Sequence, residues 1–394
     1  MLHRTERTLE NIPVGPLGFI PVNGCQELGK KVDEYLVKWR KEAEANASKS
    51  IVIEDYVNDS YIVDAKVPRF GSGEAKGIIN ESVRGQDIYI MVDVCNYSIT
   101  YSLSGHVNRM SPDDHFQNLK RVIAAIGGKA RRINVIMPFL YESRQHKRSS
   151  RESLDCALAL QELVRMGVDN IITFDAHDPR VQNAIPLHGF ETVRPTYQFI
   201  KALLRKHSDL QIDSDHMMAI SPDEGATERA VYMANVLGLD MGMFYKRRDY
   251  SRIVDGRNPI VAHEFLGSSV EGKDVIIIDD MISSGDSMLD VARQLKARKA
   301  NRIFAASTFG LFTNGLEKFD KAYEEGILHG VLTTNLIYQT PELLQREWYI
   351  NCDLSKYIAL MIDTLNHDGS ISDILDPSAR IQNVVNRYKN GEKI

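Results

Sequence analysis

The sequence predicts an α/β protein with largely parallel sheets, and three observations predict it. Short apolar runs recur: Asp87–Val94 (DIYIMVDV), Ile133–Met137 (INVIM), Ile171–Asp175 (IITFD), Met217–Ser221 (MMAIS), Val275–Asp279 (VIIID) and Ile303–Thr308 (IFAAST). Amphipathic segments of helical period stand between them, and three segments that carry acid, DAHD, SPDEG and DDMISSGDS, follow apolar runs directly. Unbroken apolar runs of this length read as strands covered on both faces, as strands flanked by helices are. Open parallel sheets bind ligands beyond the carboxyl ends of their strands, so chemistry is expected just after each run.

From the N-terminus, the first fifty or so residues are less regular, and Lys38–Lys49 is mostly polar, reading as a solvated helix or connector. The strand at Asp87–Val94 is followed by a helical segment at Asp114–Ile126, and the strand at Ile133–Met137 by one at Ser153–Met166. Met217–Ser221 leads to a helix over Ala226–Val236, and Val275–Asp279 to one over Ser287–Ala297. The residues after Pro377 read as an exposed tail. At 394 residues the chain has room for two or three domains, and a boundary near Phe190–Pro195 is marked only by the pattern restarting.

Lys and Arg total 48 against 53 Asp and Glu, a net charge of -5 with His neutral. Such a surface has no general attraction for nucleic acid or anionic lipid, so any cationic phosphate site must be concentrated locally. Cys25, Cys95, Cys156 and Cys352 lie far apart with no C-x-x-C pair, which argues against structural zinc and a disulfide framework. The first residues, MLHRTERTLENIPVGPLGFIPV, lack the apolar stretch of a signal peptide, and no run approaches the roughly 18 apolar residues of a membrane span. A cytoplasmic protein with neither nucleic-acid nor membrane partner is expected.

Two phosphate-loop lookalikes fail on context. Gly267–Lys273 (GSSVEGK) is followed by Asp274 where a Walker A loop needs Ser or Thr, and it precedes a strand instead of joining strand to helix. Gly71–Gly77 (GSGEAKG) carries an extra residue relative to G-x-G-x-x-G, and no helix obviously follows.

Val275–Leu295 (VIIIDDMISSGDSMLDVARQL) is the most informative stretch: a buried strand, two adjacent carboxylates, a loop of small hydroxylated residues, then an amphipathic helix. Ser283, Ser284 and Ser287 offer hydroxyls, Gly285 permits close backbone approach, and a helix N-terminus supplies unpaired N–H groups. Asp279 and Asp280 can accept hydrogen bonds from a pair of sugar hydroxyls. Phosphate at one end and vicinal hydroxyls at the other describe a ribose 5-phosphate. An acidic strand end with a serine N-cap explains part of the pattern, but not the whole order of its parts.

This stretch resembles the ribose-phosphate loop of the phosphoribosyltransferase fold, and further residues narrow the resemblance to the ribose-phosphate pyrophosphokinase (PRPP synthetase) family. The likeness runs from RFGSGE near Arg69 through ESVRGQDIYIM, INVIMPFLYESRQHKRSSRES, IITFDAHDPRVQ, SPDEGATERA and FYKRRD to LNHDGSISDIL near Leu375. It implies two tandem phosphoribosyltransferase-like domains, 59–193 on the ATP side and 194–350 on the ribose 5-phosphate side. Residues 1–58 form an N-terminal extension, 351–378 a segment packing back on the first domain, and 379–394 a tail.

The family moves the β,γ-diphosphoryl group of ATP to the anomeric hydroxyl of ribose 5-phosphate, giving PRPP and AMP, with Mg2+ as cofactor. By resemblance, His177 and Asp223 are magnesium-linked, and His177 joins Lys246 and Arg248 as catalytic. Taken alone, His177 reads as a loop histidine, while Lys246, Arg247 and Arg248 fit a solvated turn and a phosphate-binding cluster about equally. Arg144, Gln145 and His146 fall at nucleotide-contacting positions, and Phe70 and Glu74 in an adenine-contacting hairpin donated by a neighbouring subunit. The donated hairpin implies a homo-oligomer, at least a dimer, and the family commonly builds hexamers. Asp279, Asp280, Ser283, Ser284, Gly285, Asp286 and Ser287 are implied to hold ribose 5-phosphate.

Departures from the family pattern are His146 and Ser72, each where Asp is usual, Ser153 in place of Pro after the anion-site-like Ser150-Arg151-Glu152, and Asp286 in place of a small residue. A carboxylate facing the 5-phosphate would be repelled, so Asp286 is expected to point outward. A phosphoribosyltransferase consuming PRPP and a non-catalytic synthetase-like regulatory subunit are the alternative functions.

Overall fold

The computed structural model describes residues 12–46, 56–248 and 260–394. In chain order its elements are β1 (Leu17–Pro21), α1 (Gln26–Asn46), the short β2 (Ala65–Lys66) and β3 (Ile78–Ile79), and β4 (Asp87–Met91). Next come β5 (Thr100–Leu103), β6 (His106–Arg109), α2 (Pro112–Ile126), β7 (Arg132–Ile136), α3 (Asp155–Arg165), β8 (Asn170–Phe174), a 3-10 turn over Pro179–Ala184, and β9 (Gly189–Val193). They are followed by α4 (Thr196–Lys206), β10 (Met217–Ser221), α5 (Thr227–Leu237), β11 (Asp240–Arg248), β12 (Ile260–Leu266), β13 (Asp274–Ile282) and α6 (Asp286–Ala297). The chain closes with β14 (Ile303–Gly310), α7 (Glu317–Glu324), β15 (Gly330–Thr334), α8 (Pro341–Leu344), β16 (Tyr349–Cys352), α9 (Ser355–Asn366), α10 (Ser372–Leu375) and α11 (Ser378–Lys389).

The described residues up to Arg194, with Asn335–Tyr338 and Asp353–Asp376, form one compact unit. Pro195–Thr334, Gln339–Cys352 and Pro377–Ile394 form another. The first unit is built on a parallel sheet in the order β1-β4-β7-β8-β9. The second is built on a seven-stranded sheet, β12-β11-β10-β13-β14-β15-β16, parallel except where β12 runs against β11. The expected α/β class and its six apolar strands are all present.

The second sheet makes clear why its strands read as unbroken apolar runs. Val275 and Ile277 enter the core on one face with Leu289, Leu295 and Phe319, while Ile276 and Ile278 enter the other with Phe199, Leu203 and Leu237. Each side chain so buried contributes roughly 1.5–3 kcal/mol. Helix α2 starts where local chemistry predicts: Ser111 accepts from the Asp114 N–H, and the Asp114 carboxylate accepts from the Ser111 N–H. It stops at Gly127 in the left-handed region, φ 61°.

Both chain ends correct the reading from sequence. Residues 17–46 are no extension, since β1 pairs with β4 in the central sheet. Its apolar stretch is short and interrupted by Gly18 between Pro16 and Pro21, so it lacks the length of the other runs. Helix α1 reads as solvated because a charged residue lies on its buried face: Val32, Leu36, Arg40 and Ala43 are all buried. The Arg40 guanidinium donates to Asn366 Oδ1 at 2.7 Å, lies 3.5 Å from Asp363 Oδ1 and stacks 4.8 Å from the Tyr56 and Tyr61 rings. Burying a charge is tolerable only with such partners. The residues after Pro377 are not an exposed tail either: α11 buries Ile381, Val384 and Val385 in the second unit's core, spaced as one helix face.

Candidate active site

In the second unit, β13 delivers Asp279 and Asp280 at its carboxyl end. Asp280 is buried, and its backbone N–H donates to Asp279 Oδ1 at 2.9 Å. Burial, and next the charge of Asp280, push the Asp279 carboxyl well above the usual carboxylate range, and Asp223 adds to the effect. Arg229 Nη2 stands 4.0 Å from Asp280 Oδ2, near enough to offset part of that charge. Asp223, in the turn after β10, accepts from the Gly225 N–H at 3.0 Å.

Ser283, Ser284 and Gly285 carry the chain from the acid pair into α6. Gly285 has φ 83°, a conformation that costs other residues, and a Cβ there would overlap the Phe319 ring. The helix that follows has no side-chain hydrogen bond from its N-cap residue; the Asp286 N–H donates to Ser284 Oγ at 3.4 Å, and the partial positive charge of the helix start faces the loop. Asp286 is exposed, and its carboxylate is paired with Lys318 Nζ at 2.5 Å. Ser287 is exposed on the first turn. The acid pair, serines and helix start are therefore gathered in one place. Lys246, Arg247 and Arg248 end β11, with a register shift between Arg247 and Arg248; their side chains lie outside the described residues.

The first unit holds the other predicted residues. His146 Nε2 lies 3.4 Å from Asp178 Oδ2, and the His146 and His177 rings are 5.4 Å apart. Asp175, at the end of β8, has φ 42°, an uncommon conformation that turns the chain toward His177. Asp178 caps the 3-10 turn by accepting from the Arg180 N–H, and the hydrogen-bonded Arg180 guanidinium holds its carboxyl down at about 2. Arg144 is exposed, while Gln145 donates its amide to Ser153 O at 2.8 Å, closing its own loop.

Phe70 and Glu74 are set apart on a tight hairpin, where the Phe70 N–H donates to Glu74 O at 2.7 Å. Phe70 is 52% exposed. A cavity of about 420 Å³ lies beside it, lined by Asn23, Arg69, Phe70, Tyr101, Met110 and Asn118 among others. The hairpin accounts for the extra residue in the Gly71–Gly77 lookalike. Gly267–Lys273 likewise connects β12 to β13 without a helix, as its sequence context predicts.

Asp178, Arg180, Arg229 and Lys318 were not singled out by sequence. Asp178 had a signal, as the acid closing DAHD after a strand. Lys318 had none, standing 32 positions from Asp286.

Among the described residues, no group of three or more His, Cys, Asp or Glu side chains is spaced to hold a metal by itself. Magnesium needs no such cage, being commonly held by one or two carboxylates, substrate phosphates and water. A single half-buried carboxylate such as Asp223 fits that habit.

A strand–acid pair–serine loop–helix unit on a parallel sheet defines a phosphoribosyltransferase-type protein, and the family model described as phosphoribosyl transferase domain matches residues 191–329. The model for the N-terminal domain of ribose phosphate pyrophosphokinase matches residues 17–167, which brings most of the supposed extension into the family's first domain. Ribose-phosphate pyrophosphokinase of Vibrio parahaemolyticus is 30% identical over 314 residues, 78% of this chain and 90% of that protein. That of Vibrio cholerae is 29% identical over 313 residues, again 78% and 90%. The fold agrees with the crystal structure of phosphoribosylpyrophosphate synthetase from Mycobacterium smegmatis, with a TM-score of 0.70 at 20% identity, covering 90% of this chain and 99% of that one. The chain belongs to the ribose-phosphate pyrophosphokinase family.

Proposed function

We propose that the protein is a ribose-phosphate diphosphokinase, moving the β,γ-diphosphoryl group of ATP to the anomeric hydroxyl of ribose 5-phosphate and releasing AMP and PRPP. The observation that carries this reading is the order of groups after β13: paired carboxylates, hydroxyl-lined loop, positive-φ glycine, helix start. The carboxylates accept from the sugar's vicinal hydroxyls, and the serines and first helical N–H groups take the 5-phosphate. The pentose is so held with its anomeric oxygen free to attack the β-phosphorus, breaking the bond to the α,β-bridging oxygen.

Lys246 and Arg248 neutralise the polyphosphate as charge redistributes, Lys as a point charge and Arg as a fork on two oxygens. His177 and Asp223 are each proposed as magnesium-linked by resemblance, and magnesium, when bound, would screen phosphate charge. On the nucleotide side, Arg144, Gln145 and His146 receive ATP in the same chain, with Phe70 and Glu74 reaching a neighbouring subunit's nucleotide. The exposure of the Phe70 ring leaves it accessible to a neighbouring subunit, in support of at least a dimer. No helix among the described residues is long and apolar enough to cross a membrane, and a cytoplasmic location is part of this proposal.

Incubation with ATP, Mg2+ and ribose 5-phosphate, followed by chromatography, tests the reading. Stoichiometric AMP and PRPP support it. ADP alone means a different kinase chemistry, and no turnover favours a regulatory subunit. Lys246→Ala should lower kcat by roughly 10²–10³, the scale for losing one partner of transition-state charge. An unchanged kcat would remove Lys246 from this role.

A further inference from the structure

Asp286 is a misplaced charge for the function just described. It opens the first turn of α6, where its carboxylate competes with a 5-phosphate for the helix's partial positive charge. Its answer comes from α7. Lys318 Nζ meets Asp286 Oδ1 at 2.5 Å, both side chains being about half exposed. The next residue on α7, Phe319, is fully buried with its ring against Gly285 of the same loop.

Helix α7 is itself fixed. The Phe319 and Trp348 rings stack at 5.6 Å, and Trp348 Nε1 donates to Asp320 Oδ1 at 2.7 Å. Successive residues of one anchored helix therefore support the loop's glycine and cover its aspartate. Arg293 on α6 adds a more distant positive charge toward Asp286. The Lys318 hydrogen bond also holds the Asp286 carboxyl below its usual range.

We propose that Lys318 is a positioning residue for the sugar phosphate: by pairing with Asp286 it cancels a repulsive charge at the mouth of the phosphate loop. It acts through Asp286 without itself touching the substrate. The inference rests on the ribose 5-phosphate reading and names what makes that site tolerate its own carboxylate.

The test is a two-residue cycle on the full-length enzyme, read by steady-state kinetics for both substrates and by calorimetry of ribose 5-phosphate binding. Lys318→Met should raise the KM and Kd for ribose 5-phosphate about five-fold at low ionic strength, with the KM for ATP within about two-fold of wild type. The penalty should fade at roughly 0.5 M salt, where exposed charges are screened within a few ångströms. Adding Asp286→Ser to Lys318→Met should recover most of the lost affinity, a rescue that a general packing role for Lys318 does not give. Unchanged affinity in Lys318→Met overturns the proposal, as does an equal penalty whether or not Asp286 is present, which would make Lys318 a direct ligand. Wild-type protein that neither binds nor consumes ribose 5-phosphate sinks the functional reading together with this inference. Turnover by wild type with no shift in Lys318→Met sinks the inference alone.

Discussion

In the first unit, Asp178 faces an exposed Arg180 that holds its carboxyl down at about 2, whereas in the second unit burial and Asp280 push Asp279 the opposite way. The same functional group thus has two jobs. Asp178 is already matched by a cation and a backbone N–H, and it serves the local architecture beside His146 and His177. Asp279 and Asp280 keep two acceptors crowded at a strand end, an arrangement that hydrogen-bond donors of a ligand would relieve. A raised carboxyl pKa beside a second carboxylate is the stronger pointer to a substrate site, and a depressed one beside an arginine the weaker.

The sharpest way to break this comparison is the second unit's loop after β13. Gly285→Ala forces a Cβ toward the Phe319 ring at φ 83°, and should cost about 2–4 kcal/mol of second-unit stability from strain and overpacking together. A thermal unfolding midpoint equal to wild type would mean that the loop is not held as described. Asp279→Asn keeps the shape but replaces one carboxyl oxygen with an amide donor. The expected loss is about 10–100-fold in kcat/KM for ribose 5-phosphate, the worth of one or two hydrogen bonds with a buried group left unpaired. Loss of ATP affinity with unchanged sugar-phosphate kinetics would contradict the assignment.

The first unit should respond least. Asp178→Asn retains a capping side chain and forfeits the ion pair with Arg180, whose side chain is 77% exposed, and the charge facing His146, so the change at pH 7 should stay within about 1 kcal/mol. The sign with pH is fixed. A carboxyl whose folded pKa is depressed adds stability above its ordinary value near 3.8, and that stability is lost as pH falls through about 2. Denaturant titrations should find wild type and Asp178→Asn converging over that acid range; a gap that widens there would reverse the assignment.

Much of the second unit was legible because its signals are local. VIIID carries its burial on both faces, DD follows within the strand, and SSGDS leads into a helix, all inside Val275–Leu295. The first unit's edges were less legible. Strand β1 is short and punctuated by Gly and Pro, and α1 hides its buried face behind Arg40, whose partners Asp363 and Asn366 lie more than 300 residues away. Gln145 shows the same limit at the site, since its amide is drawn to Ser153 by the loop's closure.

By itself the sequence determined the α/β class, six strands with four of the helices that follow them, and the order of groups in the loop after β13, because each depends on residues within about one element's length. Tertiary structure decided that Arg40 is buried, that the last helix belongs to a core, and that Lys318 meets Asp286 across 32 positions. Periodicity reports which face of an element avoids water, but the partner that makes a buried or misplaced charge tolerable is chosen only when distant segments pack.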